Sequence, residues 1–375
     1  MEKKILIILT GGTICMKPSH SGYIPSSGFL EEGVSPKTSL NDGTQKIPLP
    51  AYPETPANEA ITLPSLRTPK SRHGRHVRYC VLEFSTILDS SSINQTTWSL
   101  LATTISKNHP LFDGFIILHG TDTLAYTSSA LSYLLTNLDK TVILTGSQTP
   151  IFELRSDGES NLLDSLMIAG HYTIPEVCLF FNRKLYRGNR CTKVSVNGYE
   201  AFASPNFPPL AVCQTDRIEV NWDLVLRNRD PEALRVEKPL EMGGIDILGV
   251  FPGMTAQRVG RGLSDEGLRG IVVLTFGAGN VPSSEGNSIL GPLKEAAERG
   301  VVIVSVTQCL VGSVTPRYAP AAALEKMGVV PGWDLTLEAT VTKLAFLFAQ
   351  GRGQEEVKRL MTVPVRGEMT VKGKL

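Results

Sequence analysis

The chain lacks the features that mark several large classes of protein. Its 6 cysteines, Cys15, Cys80, Cys178, Cys191, Cys213 and Cys309, are scattered, with no C-x-x-C pair. That spacing argues against a disulfide framework or a zinc ribbon and reads as free thiols in a reducing compartment. No stretch approaches the roughly 18 consecutive apolar residues of a membrane-spanning helix. Charge of one sign is also missing: Lys and Arg number 37, Asp and Glu 36, for a net charge of +1. Such a balance supplies no field to draw nucleic acid or an anionic membrane, though it leaves room for a local basic patch. The G-x-G-x-x-G fingerprint of a dinucleotide site is absent after the first strand, and so is the Walker pattern, which weakens any nucleotide-binding reading. No solenoid repeat is visible. The N-terminal apolar run Ile5–Leu9 stops at Thr10-Gly11-Gly12. A secretory segment needs a longer run and a small-residue cleavage site. A buried first strand and a cytosolic location are therefore expected.

What is present is the composition of a globular protein: 375 residues, 42% hydrophobic and 19% charged, values ordinary for packed domains. Short β-branched runs end in Gly or polar residues. Ile5–Leu9, Phe115–Leu118, Val142–Leu144, Val177–Phe181, Ile271–Thr275 and Val301–Val306 are continuous apolar runs, as expected of strands buried on both faces of a parallel sheet. Helical spacing follows several of them. Leu124, Leu131, Leu135 and Leu138 share a face after Asp122 and Thr123, and Leu162, Leu163 and Leu166 do so after Asp157. Further helices are expected over Ile289 to Arg299 and Leu337 to Phe348. Alternating strand and helix predicts an α/β fold with a mostly parallel sheet.

Two regions break the pattern. Between about Gly33 and Arg78 lie Pro36, Pro48, Pro50, Pro53, Pro56, Pro64 and Pro69, ending in a basic stretch from Arg67. Proline blocks helices and central strands, so this segment reads as a long, partly disordered surface insertion, with a partner-binding role as the alternative. The polar stretch from Thr215 to Gly244, with Asp230-Pro231 and Gly243-Gly244, reads as a linker. The expected domains are 1–216, a linker over 217–244, and 245–375.

Loops at the carboxyl ends of parallel strands line the ligand crevice. Thr10-Gly11-Gly12-Thr13 would let backbone approach a ligand closely. A hydroxyl ending such a turn suits nucleophilic attack, with N–H groups nearby for an oxyanion; a phosphate-binding turn or a plain tight turn is the alternative for Thr13. His119-Gly120-Thr121-Asp122-Thr123 packs a His, a carboxylate and hydroxyls into one turn. Its plain reading is helix capping by Thr121 or Asp122; its functional reading is Asp122 gripping a cationic group beside the Thr121 hydroxyl. Lys193, after the run Val177–Phe181, could act as a base toward a hydroxyl if held by a carboxylate, or be a surface lysine.

Together these residues resemble a known family. Thr10-Gly11-Gly12-Thr13-Ile14, with His119-Gly120-Thr121-Asp122-Thr123 about a hundred residues further on, is similar to the two signatures of the bacterial-type L-asparaginases, closest to the cytoplasmic type I branch. Gly22-Tyr23-Ile24-Pro25, Leu144-Thr145-Gly146-Ser147-Gln148, Leu154-Arg155-Ser156-Asp157-Gly158, Tyr186-Arg187-Gly188-Asn189-Arg190, Phe202-Ala203-Ser204-Pro205-Asn206 and Arg366-Gly367-Glu368-Met369-Thr370 resemble that branch too. The likeness spans nearly the whole chain outside the Pro-rich segment.

The resemblance implies a two-domain asparaginase-like fold, with a larger N-terminal sheet flanked by helices and a smaller C-terminal α/β domain. It implies hydrolysis of L-asparagine to L-aspartate and ammonia without metal or organic cofactor. Thr13 matches the nucleophile that forms an acyl-enzyme, and Tyr23 the tyrosine of the N-terminal loop that activates it. Thr121 matches the second essential threonine, linked to Lys193 and Asp122. Asp89, Ser90 and Ser91 sit where the family holds the substrate's α-carboxylate and α-amino groups, and Asp122 is expected to touch the α-amino group. The family's sites lie between subunits, which implies a homodimer or homotetramer. Thr192 and Cys309 match two positions of a regulatory asparagine site; the plain reading of Cys309 is a buried small hydrophobe. The arginine expected just before Phe276 and Gly277 is replaced by Leu274 and Thr275. Other readings of the scaffold are the ammonia-releasing subunit of a tRNA-dependent amidotransferase, which typically carries an extra N-terminal domain, and an asparagine-sensing binding module.

Overall fold

A computed structural model describes residues 2–20, 22–54, 59–227, 232–284, 288–315 and 319–370. The chain separates into two compact units. One comprises Met1–Ser204 and Pro208–Glu237, the other Pro205–Phe207 and Lys238–Leu375.

The first unit is built on a ten-stranded sheet. Its centre is five parallel strands, in the order Val177–Phe181, Thr141–Thr145, Gly114–Leu118, Lys3–Gly11 and Val77–Leu88. The apolar runs put them there: Ile5 through Leu9 have no exposed surface, and neither do Phe115 through Leu118. Strands covered on both faces need apolar side chains pointing both ways. Helices Gln95–Asn108, Leu124–Leu134 and Gly158–His171 supply the crossovers. Parallel pairing places the carboxyl ends of Lys3–Gly11, Val77–Leu88 and Gly114–Leu118 side by side at one edge. The expectation of a mostly parallel sheet holds at this centre, whereas both wings are antiparallel. Short connections there form hairpins instead of crossovers.

One wing is the Pro-rich segment, and here the expectation of an irregular insertion is corrected. Pro48–Ala51 and Ile61–Arg67 are strands that extend the sheet beyond Val77–Leu88. Proline is tolerated because Pro48 and Pro50 lie on the outermost strand, while Pro64 pairs only with Pro48, before pairing to Val77–Leu88 begins at Ser65. A missing donor at an edge costs little. Buried Phe29, Leu30, Val34 and Leu40 anchor the segment, and the Tyr79 hydroxyl donates to the Leu40 carbonyl at 2.7 Å. Pro56 lies outside the described residues.

The other wing takes in part of the expected linker. Ile218–Val220 pairs with Ala211–Cys213, while Arg235–Val236 pairs with Leu135–Thr136 in a separate two-stranded sheet. Asp230-Pro231 lies outside the described residues. This pairing also corrects the helix after Asp122: it ends at Leu134, so Leu135 and Leu138 lie beyond it. The chain leaves the helix through a two-residue strand and the left-handed Asn137 (φ 61°).

The second unit holds a four-stranded parallel sheet, in the order Ile245–Gly249, Gly270–Thr275, Val302–Thr307 and Val330–Pro331. Ile271, Val273, Ile303, Val259, Leu263 and Leu293 pack into one core between this sheet and helices Ala256–Leu263 and Leu290–Glu298. In helix Leu337–Ala349, fully buried Lys343 pairs with fully buried Glu368 at 2.6 Å. No helix among the described residues is long and apolar enough to cross a membrane.

Candidate active site

Three loops leave the adjacent carboxyl ends of the central strands, and glycine lets them touch. Gly12 has φ 86°, and a Cβ there would lie 2.3 Å from the Gly120 nitrogen. A Cβ on Gly120 would lie 2.5 Å from the Ser90 Oγ. The loop bearing Thr13, the loop bearing Asp89, Ser90 and Ser91, and the loop bearing Thr121 and Asp122 thus meet with no room for a side chain at either glycine. Sequence positions far apart become one site through strand order alone.

Thr13 opens a short helical turn, Thr13–Cys15. Its hydroxyl makes no hydrogen bond among the described residues. Thr121 is buried. The Lys193 Nζ donates to the Thr121 Oγ1 at 2.8 Å and to the Asp122 Oδ1 at 2.7 Å. Lys193 sits on a two-residue strand, with Thr192 opposite Ala203 and Lys193 opposite Phe202. The expected threonine, lysine and aspartate are therefore in direct contact, and Lys193 is not a free surface lysine. The capping alternative fails: helix Leu124–Leu134 has no side-chain cap at its start.

Asp89 is exposed and its Oδ1 accepts the Ser91 N–H at 2.8 Å. Hydrogen bonds from the Ser91 backbone and hydroxyl hold the Asp89 carboxyl below its usual pKa, so it stands ionised and suited to a cationic group. Ser90 is buried, and its carbonyl accepts from the Thr123 Oγ1 at 2.7 Å.

Tyr23 lies on the hairpin Met16–Ser19 and Gly22–Pro25, and the residue is 52% exposed. Its hydroxyl donates to the Glu153 Oε1 at 3.1 Å, not to a threonine. That hydrogen bond, reinforced by the carboxylate's charge, raises the Tyr23 pKa. Glu153 was not anticipated; at 130 positions from Tyr23, no local pattern announces it. Asp157 is a second unanticipated support, although its motif had been noticed: its carboxylate accepts the N–H groups of Gln148 and Thr149 at 3.0 to 3.1 Å. Burial nevertheless leaves its pKa raised.

Cys309 is exposed, which corrects the reading of it as a buried hydrophobe; the other five cysteines are buried. It follows the end of strand Val302–Thr307 and its N–H donates to the Thr307 Oγ1 at 3.0 Å. The apolar run has ended there, so nothing forces the thiol inward. Among the described residues no cluster of His, Cys, Asp and Glu is arranged to hold a metal ion.

Comparison with known proteins bears on this arrangement. Residues 4–226 match the family described as "Asparaginase, N-terminal", and residues 244–361 match "Glutaminase/Asparaginase C-terminal domain". The chain is 38% identical over 374 residues to L-asparaginase 1 of Escherichia coli, covering 98% of both proteins. It is 40% identical over 370 residues to the human protein named 60 kDa lysophospholipase, covering 98% of this chain but 62% of that protein. The mouse and Dirofilaria immitis relatives are likewise spanned over only 63% and 61% of their length. Among solved structures, L-asparaginase I from Vibrio cholerae superposes with a TM-score of 0.81 at 38% identity, covering 99% of this chain and 100% of that one. Two family matches, in chain order and falling one on each compact unit, together with identity at this level along the whole chain, show that the protein belongs to the asparaginase family.

Proposed function

We propose that the protein is an L-asparaginase that hydrolyses L-asparagine to L-aspartate and ammonia through an acyl-enzyme on Thr13. The observation that carries this is the Lys193–Thr121–Asp122 cluster, at 2.7 and 2.8 Å, on the sheet edge where the Thr13 loop also emerges. Relatives named L-asparaginase, aligned over nearly their whole length, support it.

In this reading the Thr13 Oγ attacks the side-chain amide carbon. Its proton passes through the Thr121 hydroxyl to Lys193, which takes it as the neutral amine, and returns to the departing ammonia. Free loop N–H groups receive the charge that forms on the amide oxygen. Such a donor is worth about 3 to 4 kcal/mol of transition-state stabilisation. Water then attacks the acyl-threonine by the reverse proton path. Asp89 and Asp122 offer carboxylates to the substrate's ammonium, and Ser90 and Ser91 offer donors to its carboxylate. Two charged ends recognised together favour a small amino acid, because a missed buried charge is expensive. For Tyr23 to serve Thr13, its hydroxyl must exchange Glu153 for the threonine.

Free thiols at all six cysteines favour a reducing compartment, and on that basis we assign the protein to the cytosol; the homodimer or homotetramer is proposed from the family resemblance alone. Thr192 and Cys309 remain the candidates for a second, regulatory asparagine site. A sigmoidal saturation curve that Cys309→Ala renders hyperbolic is the result that supports it. Ammonia release from L-asparagine and L-glutamine, assayed side by side, tests the main proposal. Turnover of neither substrate overturns it.

A further inference from the structure

The residue before the threonine loop closes a hydrogen-bond chain that none of the chemistry above uses. His119 directly follows strand Gly114–Leu118 and has no exposed surface. Its Nδ1 lies 2.7 Å from the carbonyl oxygen of Gly120. Its Nε2 lies 2.9 Å from the Thr127 Oγ1, and the Trp98 Nε1 lies 2.9 Å from that same oxygen. The two ends of the chain, with the ring neutral, fix every direction in it. An indole N–H can only donate and a carbonyl can only accept. Trp98 therefore donates to Thr127, Thr127 donates to Nε2, and Nδ1–H donates to the Gly120 carbonyl. Burial, the dominant cause, holds the imidazole pKa down at about 4. The ring is thus neutral near pH 7, with Nε2 open as an acceptor.

We infer that His119 is a positioning residue for turnover, its Nδ1–H locking the Gly120–Thr121 peptide in the one orientation that presents Thr121 to Lys193 and the Thr121 N–H to the site. This rests on the asparaginase reading. In a trans peptide the N–H points opposite to the C=O, and no peptide among the described residues is cis. With the Gly120 carbonyl turned to His119, the Thr121 N–H faces away from it, and that N–H has no partner among the described residues. Gly120 by itself would let this peptide rotate. His119 opposes rotation from inside the protein, while Thr123 on the Ser90 carbonyl and Lys193 on Thr121 hold the loop on its other sides. His119 cannot reach substrate, being fully buried with both ring nitrogens engaged, so its effect is exerted through Thr121.

The test compares His119→Leu with His119→Asn in the full chain. The asparagine amide nitrogen falls near the place of Nδ1 and can still donate to the Gly120 carbonyl; leucine cannot. The Leu variant should keep its fold by circular dichroism and lose kcat for L-asparagine by about 10- to 100-fold, the scale of a small misplacement, with KM changed far less. The Asn variant should regain most of that kcat. Unchanged kcat in the Leu variant, or equal loss in both, overturns the inference. A readout independent of activity covers a variant that fails to fold: nitrogen NMR of the wild-type ring should show the neutral Nδ1–H tautomer throughout pH 6 to 8. The Nε2–H tautomer, or protonation in that range, overturns it as well. Wild-type protein that releases no ammonia overturns the functional reading itself, whatever tautomer the ring shows.

Discussion

Lys193 holds the site together at the scale of single residues. One side-chain nitrogen reaches a hydroxyl and a carboxylate on consecutive residues, Thr121 and Asp122, across more than seventy positions of sequence. Removing it with the shape kept, in Lys193→Met, should lower kcat by about 10² to 10⁴, the usual span of a lost proton-transfer partner. A decrease under tenfold would say that the lysine is structural. Thr13→Ala should abolish turnover, with a loss on the order of 10⁴-fold or more and an unchanged melting temperature; wild-type-like activity would remove Thr13 from the mechanism. Tyr23 gives a spectroscopic handle. A carboxylate that accepts from a phenol stabilises the protonated form, so Glu153 raises the Tyr23 pKa. Glu153→Gln should bring its phenolate in at lower pH, seen as the absorbance difference from the same variant carrying Tyr23→Phe. An unmoved titration would show that the pair does not form in solution.

Elements show how much of this was legible in the sequence. The buried parallel strands were readable because continuous apolar runs have few other uses, and the loops that follow them carried Thr13, Thr121 and Asp122 into view. The edge strands were not readable. Pro48, Pro50 and Pro64 argue against a strand, and only the unpaired edge makes them harmless. The end of the helix at Leu134 was hidden too, since its cause is a partner strand at Arg235–Val236 a hundred residues away. Glu153 was invisible for the same reason. The edge segment makes its own prediction. Burial alone would raise the Asp42 carboxyl, but hydrogen bonds from Thr44 and the Arg67 guanidinium outweigh it and the pKa ends lowered. A lowered folded-state pKa contributes stability above the unfolded-state pKa, near 3.8, that is lost as pH falls through the folded value. Asp42→Asn should therefore cost about 1 to 3 kcal/mol at pH 7 and less at an acid pH below the folded value. A cost equal at both pH values would contradict the assignment.

Across the whole molecule, each unit carries its own sheet and core, and the second is tied at its end by Lys343 and Glu368. Neither side chain has exposed surface. The Glu368 carboxylate also accepts the N–H groups of Val365 and Arg366 at 2.6 to 3.0 Å, and Lys343 donates to the Val363 carbonyl at 2.6 Å. Lys343→Met strands a buried charge and should cost about 3 to 5 kcal/mol in denaturant unfolding. A loss under 1 kcal/mol would mean that water reaches the pair. Glu368, within the late motif Arg366 to Thr370, thereby acquires a structural reason for its residue type.

The central claim is that the threonine, lysine and aspartate cluster, with Thr13 on the same sheet edge, hydrolyses the side-chain amide of asparagine. The most direct measurement is ammonia release by the purified full-length chain given L-asparagine, with Thr13→Ala measured in parallel. Sustained release by the wild type and none by the variant is the predicted result. Release that survives Thr13→Ala, or a wild type that binds asparagine with a thermal shift yet never releases ammonia, would contradict the account.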